Sequence, residues 1–295
     1  MKKTVVLTFL MLLFSFAASA YAKVNVVATL PFIGSIAKEI GGDKVDVTTL
    51  VKPTQDPHFV DAKPSMILAA RKADVLMYNG LDLEIGYLPL LMESSRNPKI
   101  QPGKPGNFDC SRYVSVIEKP AFVDRSMGDV HPLGNPHYLY SPKNVIRVTE
   151  SITEELSTVD PANAGYYRSN FAAFKEKFDR KQAEWNAKKL SGKKFIAYHK
   201  YFEYLASEFG FQIVGYLEPK PGIPPSARHI EGLIESTKIS RPDAIICTAN
   251  NGIDQSRALG ARTGLKVAVV PQDVGATSEA KDWFSFMDQV LKSLE

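Results

Sequence analysis

The run DPANAGYYRSNFAAFKEKFDRKQAEWNAKKLSG, residues 160–192, decides the architecture. Asp160 followed by Pro161 is a strong helix start, with Asp as N-cap and Pro at the first helical position. Tyr167, Phe171, Phe174, Phe178 and Trp185 then recur at steps of four, three, four and seven, which places one apolar stripe on one helix. From 161 to 190 that helix spans roughly 45 Å at 1.5 Å per residue, and Ser191-Gly192 ends it. A helix of this length between two similar halves reads as a rigid spine. The competing reading is a long surface helix within a single domain.

On both sides of the spine, short β-branched runs alternate with helical patterns. Strands are expected at 24–30, 45–51, 74–78, 195–198, 212–217, 243–248 and 266–270. Helices are expected at 32–40, 64–72, 83–93, 201–209, 227–237 and 256–262. Such alternation argues for parallel sheets built from βαβ units, and the near-continuous apolar strands suit sheets covered on both faces. The expected fold is therefore α/β, with two lobes, each a mainly parallel sheet flanked by helices, joined by one long backbone helix. The boundaries are 23–159 for the N-terminal lobe, 160–190 for the linking helix and 191–295 for the C-terminal lobe. The stretch 94–136 is rich in Pro, Gly and polar residues and reads as a long functional or mobile loop.

Residues 1–22 read as a signal peptide. Lys2 and Lys3 precede an uncharged run to Ala22 whose apolar part is too short to span a bilayer comfortably. Ala20-Tyr21-Ala22 fits the small-x-small cleavage rule, so Lys23 is expected to begin the mature chain. No Cys follows the apolar run, which argues against lipid anchoring there. The whole chain has 36 basic and 32 acidic residues; without Lys2 and Lys3 it has 34 against 32, a net of +2. A chain so nearly neutral, with no basic block, is not expected to bind nucleic acid. It has no second stretch for membrane insertion, and it is expected to be periplasmic and monomeric. Two cysteines exclude a disulfide scaffold and a Cys-rich zinc fold. Whether Cys110 and Cys247 pair or stay free is left open by their spacing.

The enzyme motifs G-x-S-x-G, H-E-x-x-H, G-x-x-x-x-G-K-[ST] and G-x-G-x-x-G are absent. The histidines carry the chemical signal instead. His58 lies in Asp56-Pro57-His58 beyond the second strand, and His137 in the similar Asn135-Pro136-His137. His199 directly ends the 195–198 strand, and Asp273 follows the 266–270 strand. In open parallel sheets, ligands bind in the crevice beyond the carboxyl ends of the strands. Two of these positions fall in each half, so facing lobes would let all four converge. Three imidazoles and one carboxylate form a tetrahedral N/O set suited to Zn²⁺. His131 reads as a solvated loop residue or a transient contact, His229 as a surface residue, and Glu203 as a helix-surface or ligand-supporting group. Tyr138, Tyr140, Tyr198 and Phe59 flank the histidines as an aromatic wall or as plain core.

The runs Asp56-Pro57-His58-Phe59, Lys63-Pro64-Ser65, Ala73-Asp74-Val75 and Asn79-Gly80-Leu81-Asp82-Leu83-Glu84 resemble the metal-ion solute-binding proteins of ABC transporters, the TroA/ZnuA-like receptors of cluster A-I. Asn135-Pro136-His137, Asp160-Pro161-Ala162-Asn163-Ala164 and Tyr198-His199-Lys200-Tyr201-Phe202-Glu203 continue the resemblance over nearly all of the mature chain. It implies metal held in a cleft between two lobes by His58, His137, His199 and Asp273. His at the third position, where manganese-type members usually have Glu, implies zinc, one ion per chain, over Mn²⁺. Asn135 and Leu139 depart from the Asp and Trp often found there, and His131 is the only trace of the His-rich loop of many zinc-type relatives.

The expectation is a periplasmic high-affinity receptor, not an enzyme, that delivers Zn²⁺ to an ABC-type permease, with a periplasmic metallochaperone as a further partner. Within the same resemblance stand a Mn²⁺ or Fe²⁺ receptor and an adhesin. From another class stands a secreted zinc hydrolase with three His ligands and Asp273 or Glu203 as general base.

Overall fold

The computed structural model describes residues 22–124, 128 and 130–295; the expected signal segment, apart from Ala22, lies outside the described residues. The first half runs β1 (Val24–Ala28), α1 (Pro31–Gly41), β2 (Val45–Thr49), α2 (Pro64–Lys72), β3 (Val75–Tyr78), α3 (Leu88–Ser95) and β4 (Asn107–Asp109). Two long helices follow, α4 (Pro142–Val159) and α5 (Ala164–Asn186). The second half runs β5 (Lys194–Ala197), α6 (Glu203–Phe209), β6 (Gln212–Tyr216), α7 (Ala227–Ser240), β7 (Ala244–Thr248), α8 (Ile253–Thr263), β8 (Lys266–Val270) and α9 (Trp283–Ser293).

The strands form two four-stranded parallel sheets, ordered β2-β1-β3-β4 and β6-β5-β7-β8. The α/β class with two parallel sheets is thus the one expected. The two orders are the same, and each places the sheet's first strand between its second and third. That reversal of direction leaves a crevice beyond the carboxyl ends of β1 and β3, and another beyond β5 and β7.

Side chains alternate across the second sheet. Phe195, Ala197 and Ile246 point into the main core, while Ile196, Tyr198, Ile245 and Cys247 join a smaller cluster with Leu233 of α7 and Leu259 of α8. The main core is continuous from Val24 to Leu294 and includes residues of both sheets. Cys110 and Cys247 are both buried and free. Among the described residues no helix is long and apolar enough to cross a membrane.

The spine departs from the expected unbroken 161–190 helix. A short 3-10 turn over Pro161–Asn163 precedes α5, which ends at Asn186. The Asp160 carboxylate does not cap backbone N–H groups; it accepts from Asn163 Nδ2 at 2.8 Å and from the Tyr167 hydroxyl at 2.7 Å. Tyr167, Phe174, Phe178 and Trp185 are buried, as the stripe requires, and α5 packs against α4, α1 and α9.

Three other expectations shift. The helix placed at 83–93 begins only at Leu88, because Gly80, Leu81 and Asp82 all take positive φ, of 80°, 55° and 62°, and wind the chain into turns first. The stretch 94–136 is not one irregular loop, since it holds the edge strand β4 and two 3-10 turns, Pro98–Ile100 and Cys110–Tyr113. Helices α4 and α9 were not anticipated at all.

Candidate metal centre

A buried carboxylate organises the crevice of the first half. Glu84 accepts from Thr29 Oγ1 at 2.6 Å, from the Asn79 N–H at 2.7 Å and from the Gly80 N–H at 3.1 Å, tying together the loops after β1 and β3. Burial pushes its carboxyl up to about 7, against the pull of those hydrogen bonds. Asn79 in turn donates to the Pro136 carbonyl at 3.0 Å, and its own carbonyl accepts from the Tyr138 hydroxyl at 2.7 Å. The loop carrying His137 is thereby held over the end of β3.

His58 sits in a 3-10 turn, Pro57–Phe59, capped by Asp56. Asp56 Oδ1 accepts both the His58 backbone N–H at 3.0 Å and its Nδ1–H at 2.6 Å. Burial raises the Asp56 carboxyl, but the hydrogen bonds and charge of His58 outweigh it and hold the group below its ordinary value. The other carboxylate oxygen accepts from Asn251 Nδ2 at 2.9 Å, so the second half grips the group behind a first-half histidine. His199, just past β5, has Nδ1 against Glu218 Oε2, just past β6. In the neutral form of either ring, the carboxylate holds the proton on Nδ1 and leaves Nε2 a free lone pair.

Those nitrogens gather in two pairs. His199 Nε2 lies 3.3 Å from His137 Nε2, and His58 Nε2 lies 3.1 Å from His131 Nε2. The His58, His137 and His199 ring centroids are 5.2–5.3 Å apart. Donor atoms of His58, His131 and His137 all fall within 4.8 Å of one another. Tyr201 closes the inner wall, with its centroid 4.5 Å from His137 and 4.4 Å from His199. Aromatic contact at the histidines comes from Tyr201 and from Phe59, whose ring lies 6.3 Å from that of His58 although it is 66% exposed, while Tyr140 lines the adjoining cavity and Tyr138 and Tyr198 are buried in the apolar clusters. Burial, reinforced by the charges of His58 and His199, depresses His131 to about 3 and His137 well below its ordinary value. Both rings are neutral at pH 7 and ready to bind a cation.

Asp273 is buried nearby, in a narrow cavity that it shares with His137, Tyr140 and Tyr201. Its Oδ1 accepts the Val274 N–H at 2.6 Å, and burial pushes its carboxyl up to about 8. Glu203 opens α6 away from the imidazoles, with its carboxylate accepting from the Tyr216 hydroxyl at 2.7 Å. His229 lies apart, its Nε2 bonded to the Tyr216 carbonyl at 2.8 Å.

Two participants, Glu218 and Asn251, escaped the sequence reading, and a third, His131, entered it only as a solvated loop residue or a transient contact. His131 is not solvated: a hydrogen bond to the Leu81 backbone and the contact with His58 hold it at the site. Glu218 and Asn251 follow the ends of β6 and β7, the rule that found His199, but neither residue type announces a ligand's support. Removing such support commonly costs 10–100-fold in metal affinity. Glu218→Ala should therefore weaken zinc binding by about 10–100-fold with little change in fold, as isothermal titration would read.

Residues 26–295 match the family described as ZnuA, zinc-uptake complex component A, periplasmic. The chain is 26% identical over 283 residues to the zinc-binding lipoprotein AdcA of Streptococcus pneumoniae, covering 94% of this chain and 56% of that protein. It is 31% identical over 167 residues to the manganese ABC transporter substrate-binding lipoprotein PsaA of Streptococcus mitis, covering 57% and 52%. The chain thus spans about half the length of these curated relatives. A crystal structure of ZnuA superposes with a TM-score of 0.75 at 25% identity, over 92% of this chain and 97% of that one.

Proposed function

This chain belongs to the ZnuA family of periplasmic zinc-uptake components, and from that premise we propose that it is a periplasmic receptor that captures Zn²⁺ and passes it to the permease of an ABC importer. The observation that carries the reading is the convergence of Nε2 lone pairs from His58, His137 and His199, with Asp56 and Glu218 orienting two of the rings. The fourth donor is drawn from two candidates at the rim, Asp273 and His131. Neutral imidazoles favour zinc over manganese, which prefers carboxylate and water oxygens. The ion is cargo: no bond is made or broken, and the histidines simply replace its water shell. The signal segment 1–22 directs export, and a periplasmic metallochaperone is a further partner.

Relatives named for zinc and for manganese make the metal the point to test. Protein stripped of metal should gain thermal stability with Zn²⁺ by mass action, about 4 kcal/mol at a thousandfold excess over Kd, and much less with Mn²⁺ at equal concentration. Equal or larger stabilisation by Mn²⁺ would instead mark a manganese receptor.

A further inference from the structure

The geometry points to His131 as the fourth ligand of the bound ion and as the residue that sets its preference for zinc, with Asp273 outside the coordination sphere. This inference rests on the metal-receptor reading above and goes past it.

Four nitrogens 2.0–2.1 Å from a tetrahedral zinc lie roughly 3.3–3.4 Å from one another. The His137–His199 pair stands at 3.3 Å and the His58–His131 pair at 3.1 Å. Each pair thus already has about the length of a tetrahedral edge, and the two pairs must draw together around the ion, because His199 lies outside the group of donors within 4.8 Å of one another. His58 Nε2 is a lone pair, because Asp56 takes the ring's Nδ1–H. A cation between the pairs satisfies that nitrogen and the one facing it.

His131 is built into the site by the chain around it. Its carbonyl accepts the Gly134 N–H at 3.1 Å, which closes a turn, and Asn135 N–H donates to Ile117 O at 3.0 Å. Gly134 has φ of +112°, and a Cβ there would lie 2.2 Å from Val116 Cγ1. Only glycine lets this turn press against 116–117, and the turn brings His131 back beside His137, with ring centroids 6.0 Å apart. Both ligands are therefore arms of one seven-residue segment. Asp273, in contrast, spends its carboxylate on the backbone N–H groups of Val274 and Phe32, whereas His131 belongs with His58 and His137 to the group whose donors lie within 4.8 Å of one another, a group that includes neither Asp273 nor His199.

Four imidazoles give the ion an all-nitrogen shell. That shell suits zinc and offers manganese no oxygen. Removing His131 should therefore lower zinc affinity and also narrow the gap between the two metals.

The test uses the whole mature chain, titrated with Zn²⁺ and with Mn²⁺. His131→Ala should lose about 100-fold in zinc affinity and reduce the zinc-to-manganese ratio, while Asp273→Asn should leave both within about threefold. X-ray absorption at the zinc edge of the unmodified protein needs no variant and should count four imidazoles. The assignment is overturned if His131→Ala binds zinc like the unmodified protein, if Asp273→Asn is the variant that weakens it, or if absorption finds three imidazoles and an oxygen. In those cases the zinc-receptor reading stands. Failure of the unmodified protein to bind zinc at all is the separate outcome that removes both.

Discussion

His199→Ala should show almost no zinc-dependent rise in melting temperature at metal concentrations that saturate the unmodified protein. The free energy of zinc sites with four ligands is about 10–16 kcal/mol, so one ligand carries roughly a quarter, or about a hundredfold to several hundredfold in Kd. His199 combines two contributions: its Nε2 faces His137 at 3.3 Å, and its Nδ1 is held by Glu218. Its loss removes a donor and leaves the part-buried Glu218 carboxylate with only the Gly222 N–H. His229→Ala supplies the control, because that ring bonds the Tyr216 carbonyl and not the metal group. Direct titration with a zinc-competing dye separates the two; equal affinities would refute the placement of the site.

The second large effect concerns stability. Trp283→Ala should lower the melting temperature of metal-free protein by about 10 °C, from a loss of about 3–5 kcal/mol at 2–4 °C per kcal/mol. Trp283 is fully buried, stacks on Phe178 with centroids 6.2 Å apart and meets Trp185 edge-on at 5.6 Å. Its Nε1–H also donates to the Leu139 carbonyl at 3.0 Å, two residues past His137. One side chain thus joins α9, the α5 spine and the segment bearing a metal-centre histidine. Phe59→Ala, on a largely exposed ring, should change stability by less than about 0.5 kcal/mol. Differential scanning calorimetry of the two variants would settle the contrast.

The alternation of strands and helices was legible because each β-branched run is followed by a helix with an apolar face. Helix α4 was not, although Val145, Val148, Ile152 and Leu156 lie on its buried side. The same face carries Thr149, Thr153 and Ser157, which reads as polar. Inside the helix, these hydroxyls donate to the carbonyls of Val145, Thr149 and Thr153 at 2.7–2.8 Å, so they are buried at little cost. Helix α9 had a readable start in the reciprocal Asp282 and Ser285 capping pair, and it was overlooked.

At the site, the rule that ligands gather beyond strand ends singled out His58, His137 and His199, whose rings lie 5.2–5.3 Å apart. The rule says nothing about where a carboxylate turns once it is there. Asp273 lies beyond β8 as expected, yet its oxygen bonds the adjacent Val274 N–H. His131 lies on no strand end, and a loop histidine six residues from another looks solvated until Gly134 folds the turn back. Tertiary contacts, not spacing, decide both cases.

The continuous core has a mechanical consequence. Because both sheets and the spine share one apolar interior, the molecule should melt in a single cooperative step, and a cut between α5 and β5 should leave neither fragment able to fold alone. The small cluster under α7 and α8 is the part outside that interior. Amide hydrogens of those two helices should exchange with deuterium well before the rest, and metal bound in the crevice should slow exchange in both sheets alike.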